Sequence, residues 1–365
     1  MSSFLEKIRS WTYNRQLLGK QGNNLEEILD QIIGVYSSHP TAPLSLYARI
    51  KKFNAEEFYK LERNRLAFRI PAMRLSVYLL SRNNASQIYS AIIPPRDNPV
   101  WEKRYSQKGR IIPVQHYKIW KEKILECTAN PLTSKEIRKI TGIPGDKIKL
   151  VLNRMAFEGF LLRVGDTNMR SNLVSYVSAR KWANDIFERI DENKSLTWLA
   201  EEYIRAFGPV RVKDFQWWAG ITGEKANRTF SEIDVIELER HYFILKKDLS
   251  TFNTFNSVIT GIDLLPQWDC YTMAYAPDGR ARLVNELMQE KLYGKLGATG
   301  GNALGAILIN GLVQGIWTSK FNGKQMVVNI SSFKKPGEKI EDKIKLKLEE
   351  IGNLLNAGDV IVEMQ

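Results

Sequence analysis

The sequence predicts an α+β protein of three tandem winged helix-turn-helix units followed by a small β-barrel or sheet. Three observations predict it. Residues 131–177 spell out a short helix, a tight turn, a second helix and a β-hairpin. The same order of elements fits residues 24–80 and again residues 198–245. In the C-terminal third, short apolar strands flank a hairpin turn at Asn310-Gly311. A chain of 365 residues suits two to four small domains, and the expected divisions are 1–130, 131–192, 193–258 and 259–365.

In chain order, the first unit has helices around Glu26–Val35 and Glu56–Asn64, with a wing from Leu66–Ile70 and Arg74–Leu80. Ser37-Ser38-His39-Pro40 interrupts its first half where a simple turn is the norm. The second unit is the clearest. Thr133 is a good helix N-cap, and Glu136 three residues later completes a capping-box pattern. The helix Ser134–Thr141 buries Ile137 and Ile140 and stops at Gly142. A second helix from Pro144–Asp146 onward carries Ile148, Val151, Leu152 and Met155 on one face. Strands Phe160–Val164 and Leu173–Val177 follow.

The third unit comprises an amphipathic helix Trp198–Phe207 ended by Gly208-Pro209, then Val212–Ala219, Gly223–Ile233, and a hairpin strand within Ile236–Leu245. Its exposed face mixes Glu224 and Glu232 with Lys225 and Arg228, so it either reads DNA weakly or holds the other units in place. Beyond it, strands are expected near Leu264, at Tyr271–Ala276, on both sides of Asn310-Gly311, and at Gln325–Ile330. The helix at Glu338–Leu355 presents Ile340, Ile344, Leu348, Ile351 and Leu355 on one side, and Val360–Val362 closes the chain as a strand.

The charge is unevenly distributed. Net charge is +13, and residues 1–150 hold 26 Lys and Arg against 13 Asp and Glu, whereas the remaining residues hold 27 of each. The whole excess sits in the first 150 residues, which favours a polyanion partner over an acidic protein, a membrane surface or no partner. The basic positions that point to double-stranded DNA are Arg63, Arg65, Arg69 and Arg74 in the first unit. In the second they are Lys147, Lys149, Asn153 and Arg154 on the second helix and Arg163 and Arg170 on the wing. The competing reading of such a module is a protein-interaction scaffold, which the location of the charge disfavours.

An apolar content of 44% with 9 Trp and 15 Phe argues against disorder. Cys127 and Cys270 have no metal-ligand spacing, and a reducing compartment fits. Met1–Lys20 lacks the apolar core of a signal peptide. The uncharged stretch Gly297–Trp317 is broken by glycines, asparagines and a glutamine, against a membrane span. These features fit a cytoplasmic, nucleoid-associated protein; the sequence leaves the oligomeric state open, with a monomer favoured.

Three segments together resemble the AlkZ/YcaQ family of bacterial DNA glycosylases: Gly34–Arg49 (GVYSSHPTAPLSLYAR), Tyr203–Gly220 (YIRAFGPVRVKDFQWWAG), and Leu264–Asp269 (LLPQWD) paired with Ile309–Trp317 (INGLVQGIW). The resemblance implies three tandem winged helices plus a C-terminal β-barrel, excision of alkylated bases, and unhooking of interstrand crosslinks without a cofactor. It also implies a Gln-Φ-Gln or Gln-Φ-Asp motif that holds and polarises the attacking water. In this chain that motif falls on Tyr36-Ser37-Ser38, with His39 next, and no glutamine is present.

Tyr36, Ser38 and His39 are therefore the candidate catalytic residues. Glycosidic cleavage needs a positioned water and a nearby anion or dipole; a neutral histidine accepts a proton and a serine hydroxyl orients water. The alternative is a plain turn in which His39 caps one helix and Pro40 starts another. Asp269 is either a partner for His39 or a turn cap. Arg74, in a segment where the family usually reads Met-Arg-Gly-Thr but Leu75 stands here, is a phosphate contact or a surface ion-pair partner. Trp217 and Trp218 read as core residues rather than base-stacking ones. Two functions follow: a monofunctional glycosylase, or a regulator or lesion sensor that binds DNA without cutting it.

Overall fold

The computed structural model describes residues 3–107, 111–294 and 302–364. Residues 297–301 of the uncharged stretch lie outside them, as do Met1 and Ser2. Within residues 131–178 the local signals are met. Thr133 Oγ1 accepts from the Glu136 amide at 3.3 Å, and the Glu136 carboxylate accepts from the Thr133 amide at 2.7 Å. The helix Ser134–Thr141 ends at Gly142 in the left-handed region, φ 69°. Ile140, expected inside, is 60% exposed. The next helix, Gly145–Phe157, buries Ile148, Val151, Leu152 and Met155. Strand β5 (Leu161–Gly165) then pairs antiparallel with β6 (Val174–Ser178), and β6 also meets β4 (Leu132–Thr133).

The first region departs from expectation at its first helix, which spans Leu25–Gln31 and stops short of Val35. Ile33 and Gly34 take φ values of 60° and 77° and turn the chain into strand β1 (Val35–Tyr36). Gly34 is required there, since a Cβ would lie 2.3 Å from a Leu80 methyl and 2.6 Å from the Leu79 carbonyl. The Ser37–Pro40 interruption is the passage from β1 to a further helix, Ala42–Tyr47. The helix Ala55–Arg63 follows, capped by Asn54, then β2 (Ala67–Pro71) and β3 (Val77–Ser81). Arg74, expected in a strand, sits in the short 3₁₀ turn Met73–Leu75 with φ 52°.

The two hairpins share one six-stranded sheet, ordered β1-β3-β2-β5-β6-β4, so residues on both sides of position 130 contribute to it. The junction between β2 and β5 is narrow, with Arg69 opposite Arg163. Glu62 seals it, accepting from both Arg69 Nε, at 2.9 Å, and the Gly165 amide, at 3.1 Å. A Cβ at Gly165 would come within 2.6 Å of the Arg69 guanidinium.

Downstream, the helix Glu192–Phe207 begins earlier than its apolar stripe suggests, because Asp191 caps it by accepting from the Lys194 amide at 2.9 Å. Helices Val212–Ala219 and Gly223–Ser231 lead to the short pair β7 (Val235–Glu237) and β8 (Phe243–Leu245). The last sheet runs β13-β12-β11-β10-β9, from β9 (Ile262–Leu265) through β10 (Gly305–Ile309), β11 (Leu312–Asn322) and β12 (Gln325–Ser332) to β13 (Asp359–Met364). Asn310 and Gly311 both have positive φ, 51° and 75°, as the tight turn requires. The expected strand Tyr271–Ala276 is instead a buried series of turns. Its backbone is satisfied by distant side chains, with Tyr203 donating to the Ala274 carbonyl at 2.7 Å and Tyr293 to that of Thr272 at 2.8 Å.

One apolar core runs from Tyr13 through both hairpins to Val313. A second lies under the helix Glu338–Leu354 and reaches Leu44 and Met169. No described helix is long and apolar enough to cross a membrane.

Candidate functional site

The candidate triad sits where β1 gives way to a helix. Tyr36 pairs with Tyr78 across the β1–β3 edge. The Ser37 amide donates to the Val77 carbonyl at 2.9 Å, and the Val77 amide donates to Ser38 Oγ at 3.3 Å. Ser38 is thereby occupied in holding the strand edge. His39 is different. Its carbonyl accepts from the Thr41 amide at 2.8 Å, while its ring is exposed and hydrogen-bonded to no described residue.

What meets that ring is Trp268. The two ring centroids are 4.3 Å apart at 32°, and Tyr36 lies 5.4 Å from Trp268 and 6.2 Å from His39. Trp268 holds this place in a left-handed backbone conformation, φ 59°, unusual for a bulky residue. Its indole donates to Asn302 at 2.8 Å, and its amide donates to the Ala303 carbonyl at 3.0 Å. The next residue anchors it. Asp269 forms a bidentate pair with Arg49, at 2.8 and 2.9 Å, both side chains having no exposed surface. Arg49 also donates to the Ser45 carbonyl at 2.7 Å, tying the turn at 266–270 to the helix that follows His39. Burial opposes the Arg49 charge, but Asp269 more than offsets it and holds the guanidinium above its usual range. Asp269 is thus committed to Arg49 and to the Tyr271 amide, at 2.9 Å, and is not a partner for His39.

Cys270 packs against the same guanidinium at 3.3 Å, and burial pushes its thiol up to about 12. A buried neutral thiol reacts slowly. In the folded chain a thiol reagent at pH 8 is expected to label half-buried Cys127 first, with Cys270 following only on unfolding; equal labelling rates contradict this packing. Since the folded pKa lies above the unfolded value, Cys270's contribution to stability is complete below about pH 8 and is lost as pH rises from there toward 12.

His39, Thr41, Gln267 and Trp268 line a cavity of about 430 Å³ together with Met169, Trp317 and Phe321. Arg170, at the tip of the β5–β6 turn, stands at the same cavity over Phe321, 4.6 Å from its centroid. A larger cavity, about 710 Å³, between residues 6–10 and 253–259 shares no residue with it.

The basic positions divide by burial. Arg69, Arg154 and Arg163 were expected to touch phosphate, and all three are inside, each no more than 8% exposed. Arg69 pairs with Glu62, and Arg154 pairs with Glu158 at 2.8 Å beneath the Tyr117 ring. Burial holds the Arg163 guanidinium below its ordinary range, with nearby Tyr176 opposing. Joining two hairpins edge to edge turns strand positions that look superficial into interior ones. Asn153 is half-buried and accepts from Tyr105 at 2.7 Å, so it too is engaged. Arg63, Arg65 and Lys149 are exposed and Lys147 is half-buried. Arg63 pairs with Glu56, Arg65 lies 4.6 Å over Trp182, Lys147 pairs with Asp146, and Lys149 has no partner among the described residues.

Arg74 is half-buried, 4.0 Å over Trp217 and beside Tyr78, whose ring meets Tyr36 edge-on at 6.0 Å. Trp218 is core, 2% exposed, as expected; Trp217 is not, being sandwiched between Arg74 and Arg280. The residues missed by sequence reasoning are Trp268 and Gln267. Both lie in the Leu264–Asp269 segment, but the contact of Trp268 with His39, and the cavity that Gln267 shares with it, are long-range features that no local pattern encodes. Among the described residues no cluster of His, Cys, Asp and Glu is able to hold a metal ion.

Comparison with known proteins bears on this arrangement. The family model described as "DNA glycosylase AlkZ-like" matches residues 32–354. No curated protein matches the chain significantly. Among solved structures, the Streptomyces sahachiroi DNA glycosylase AlkZ matches with a TM-score of 0.75 at 16% identity, covering 100% of each chain. At that identity the likeness is one of fold.

Proposed function

The chain belongs to the AlkZ-like DNA glycosylase family, and from that premise we propose that it is a monofunctional glycosylase releasing alkylated or bulky purine bases from double-stranded DNA. The observation that carries the reading is the His39 ring, exposed, hydrogen-bonded to no described residue, and packed on Trp268 at a cavity. In the reaction, water attacks C1′ of the damaged nucleotide, the C1′–N bond breaks, and its electron pair departs with the base. For an N7-alkylpurine those electrons cancel the formal positive charge of the ring. The water's proton passes to the His39 imidazole and then to solvent. Tyr36 and Trp268 offer aromatic faces for an extruded base.

We read residues 24–80, 131–178 and 198–245 as three winged helix-turn-helix units, with the division at 259 opening a separate C-terminal domain. Their recurring helix–helix–hairpin order supports this. Arg74 and Arg170, flanking the aromatic turn, and Arg63, Arg65, Lys147 and Lys149 farther out, are assigned to phosphate. The protein acts as a monomer on the nucleoid in the cytoplasm. Affinity for duplex DNA is expected to fall steeply with salt, and Lys149→Ala is expected to reduce the slope of log K against log[salt] by about 0.9. An affinity flat in salt contradicts the assignment.

A second reading, DNA binding without chemistry, is favoured by Ser38, whose hydroxyl is engaged by the Val77 backbone. Incubation with duplex DNA carrying N7-alkylguanine separates the two. Alkali-labile abasic sites support the glycosylase, and binding without base release supports the sensor. Crosslink unhooking is checked in the same way with a nitrogen-mustard crosslink.

A further inference from the structure

We propose that Gln267 is the residue that holds and polarises the attacking water, placing an amide from the C-terminal half of the chain in the same cavity as the His39 imidazole from the N-terminal half. Gln267 is half-buried, lines the His39 cavity, and forms no hydrogen bond to any described residue. An amide in that position is satisfied by water or by a ligand. The cavity, of about 430 Å³, has ample room for such a water.

Trp268 covers one face of the imidazole, so the ring nitrogens at its edge are what remain to act. The backbone supports this division of labour. Trp268 is pinned by Asn302, by the Ala303 carbonyl and, through Asp269, by Arg49. Its neighbour Gln267 is thereby held without spending its own side chain.

The proposal rests on the glycosylase reading and adds a role to it. A water that donates one O–H to Gln267 Oε1 attacks C1′. Its other proton goes to His39 as the C1′–N bond breaks and the electron pair leaves with the base. A fixed amide dipole at the cavity is most effective as positive charge develops on the sugar.

The test is single-turnover base release from N7-alkylguanine duplex by wild type, Gln267→Leu and Gln267→Glu, with DNA affinity and melting temperature measured on each. Gln267→Leu is expected to lower the release rate about 100-fold or more while affinity stays within about two-fold. Gln267→Glu keeps an acceptor and adds negative charge. It is expected to restore release above about pH 6 and to show an acid limb, set by the new carboxylate and absent from wild type. Release by Gln267→Leu within three-fold of wild type, about, overturns the role. So does an equal loss in both variants with no new pH limb, since that marks packing alone. No release by wild type overturns the glycosylase reading and this role with it, an outcome distinct from a wild type that works and a variant that works as well.

Discussion

Replacing Arg49 with methionine is expected to destabilise the protein by about 3–5 kcal/mol, read as a lowered denaturant midpoint. The replacement leaves the Asp269 carboxylate with no exposed surface and no counter-charge. The desolvation cost of that charge stays while the attraction that offset it is gone. The double replacement Arg49→Met with Asp269→Leu is expected to recover much of the loss, because a well-packed apolar pair needs no compensation. A double variant as unstable as the single one contradicts this explanation. The single variant also loosens Trp268, whose left-handed backbone depends on its neighbours, so base release falls with stability.

The second large effect is on chemistry alone. His39→Ala is expected to lower base release by about 10²–10⁴-fold with little change in melting temperature, since the ring is exposed and hydrogen-bonded to no described residue. Affinity for undamaged duplex is expected to change less than two-fold, about, because phosphate contacts supply most of it. Trp268→Ala serves as a contrast. It removes the stacking surface and disturbs the cavity wall, so lesion binding and turnover fall together, whereas Tyr36→Phe keeps the ring and costs little.

Much of the fold was legible where local chemistry decides it. The Thr133–Glu136 capping box, the Gly142 stop and the Asn310-Gly311 turn need only neighbours within a few residues. Interior placement of Arg69, Arg154 and Arg163 was not legible. Each looks like a surface arginine in its own segment, and Arg69 and Arg163 are buried because β2 and β5 meet. The Tyr271–Ala276 run looks like a strand for a related reason. Its residues are apolar, but Tyr203 and Tyr293 take up the backbone groups that a ladder otherwise pairs.

At the site, Tyr36, Ser38 and His39 were identified from the segment that resembles the family. The structure separates them, with Ser38 tied to Val77 and the His39 ring left with no hydrogen-bond partner among the described residues. Asp269 could be read as an acid partner for His39 only while Arg49, 220 positions away, was out of view. Gln267 and Trp268 stood in plain sequence, yet their relevance depends on the same long-range closure. Histidine is thus one of several groups at this cavity, and its role is separable from theirs by substitution.

The most direct measurement is a single-turnover incubation of the full chain with duplex DNA carrying one N7-alkylguanine, scored by alkali cleavage and run beside His39→Ala. Expected are abasic sites with wild type, their loss by at least about 100-fold with His39→Ala, and binding retained in both. Tight binding by wild type with no abasic site formed, or undiminished release by His39→Ala, would contradict a histidine-based glycosylase.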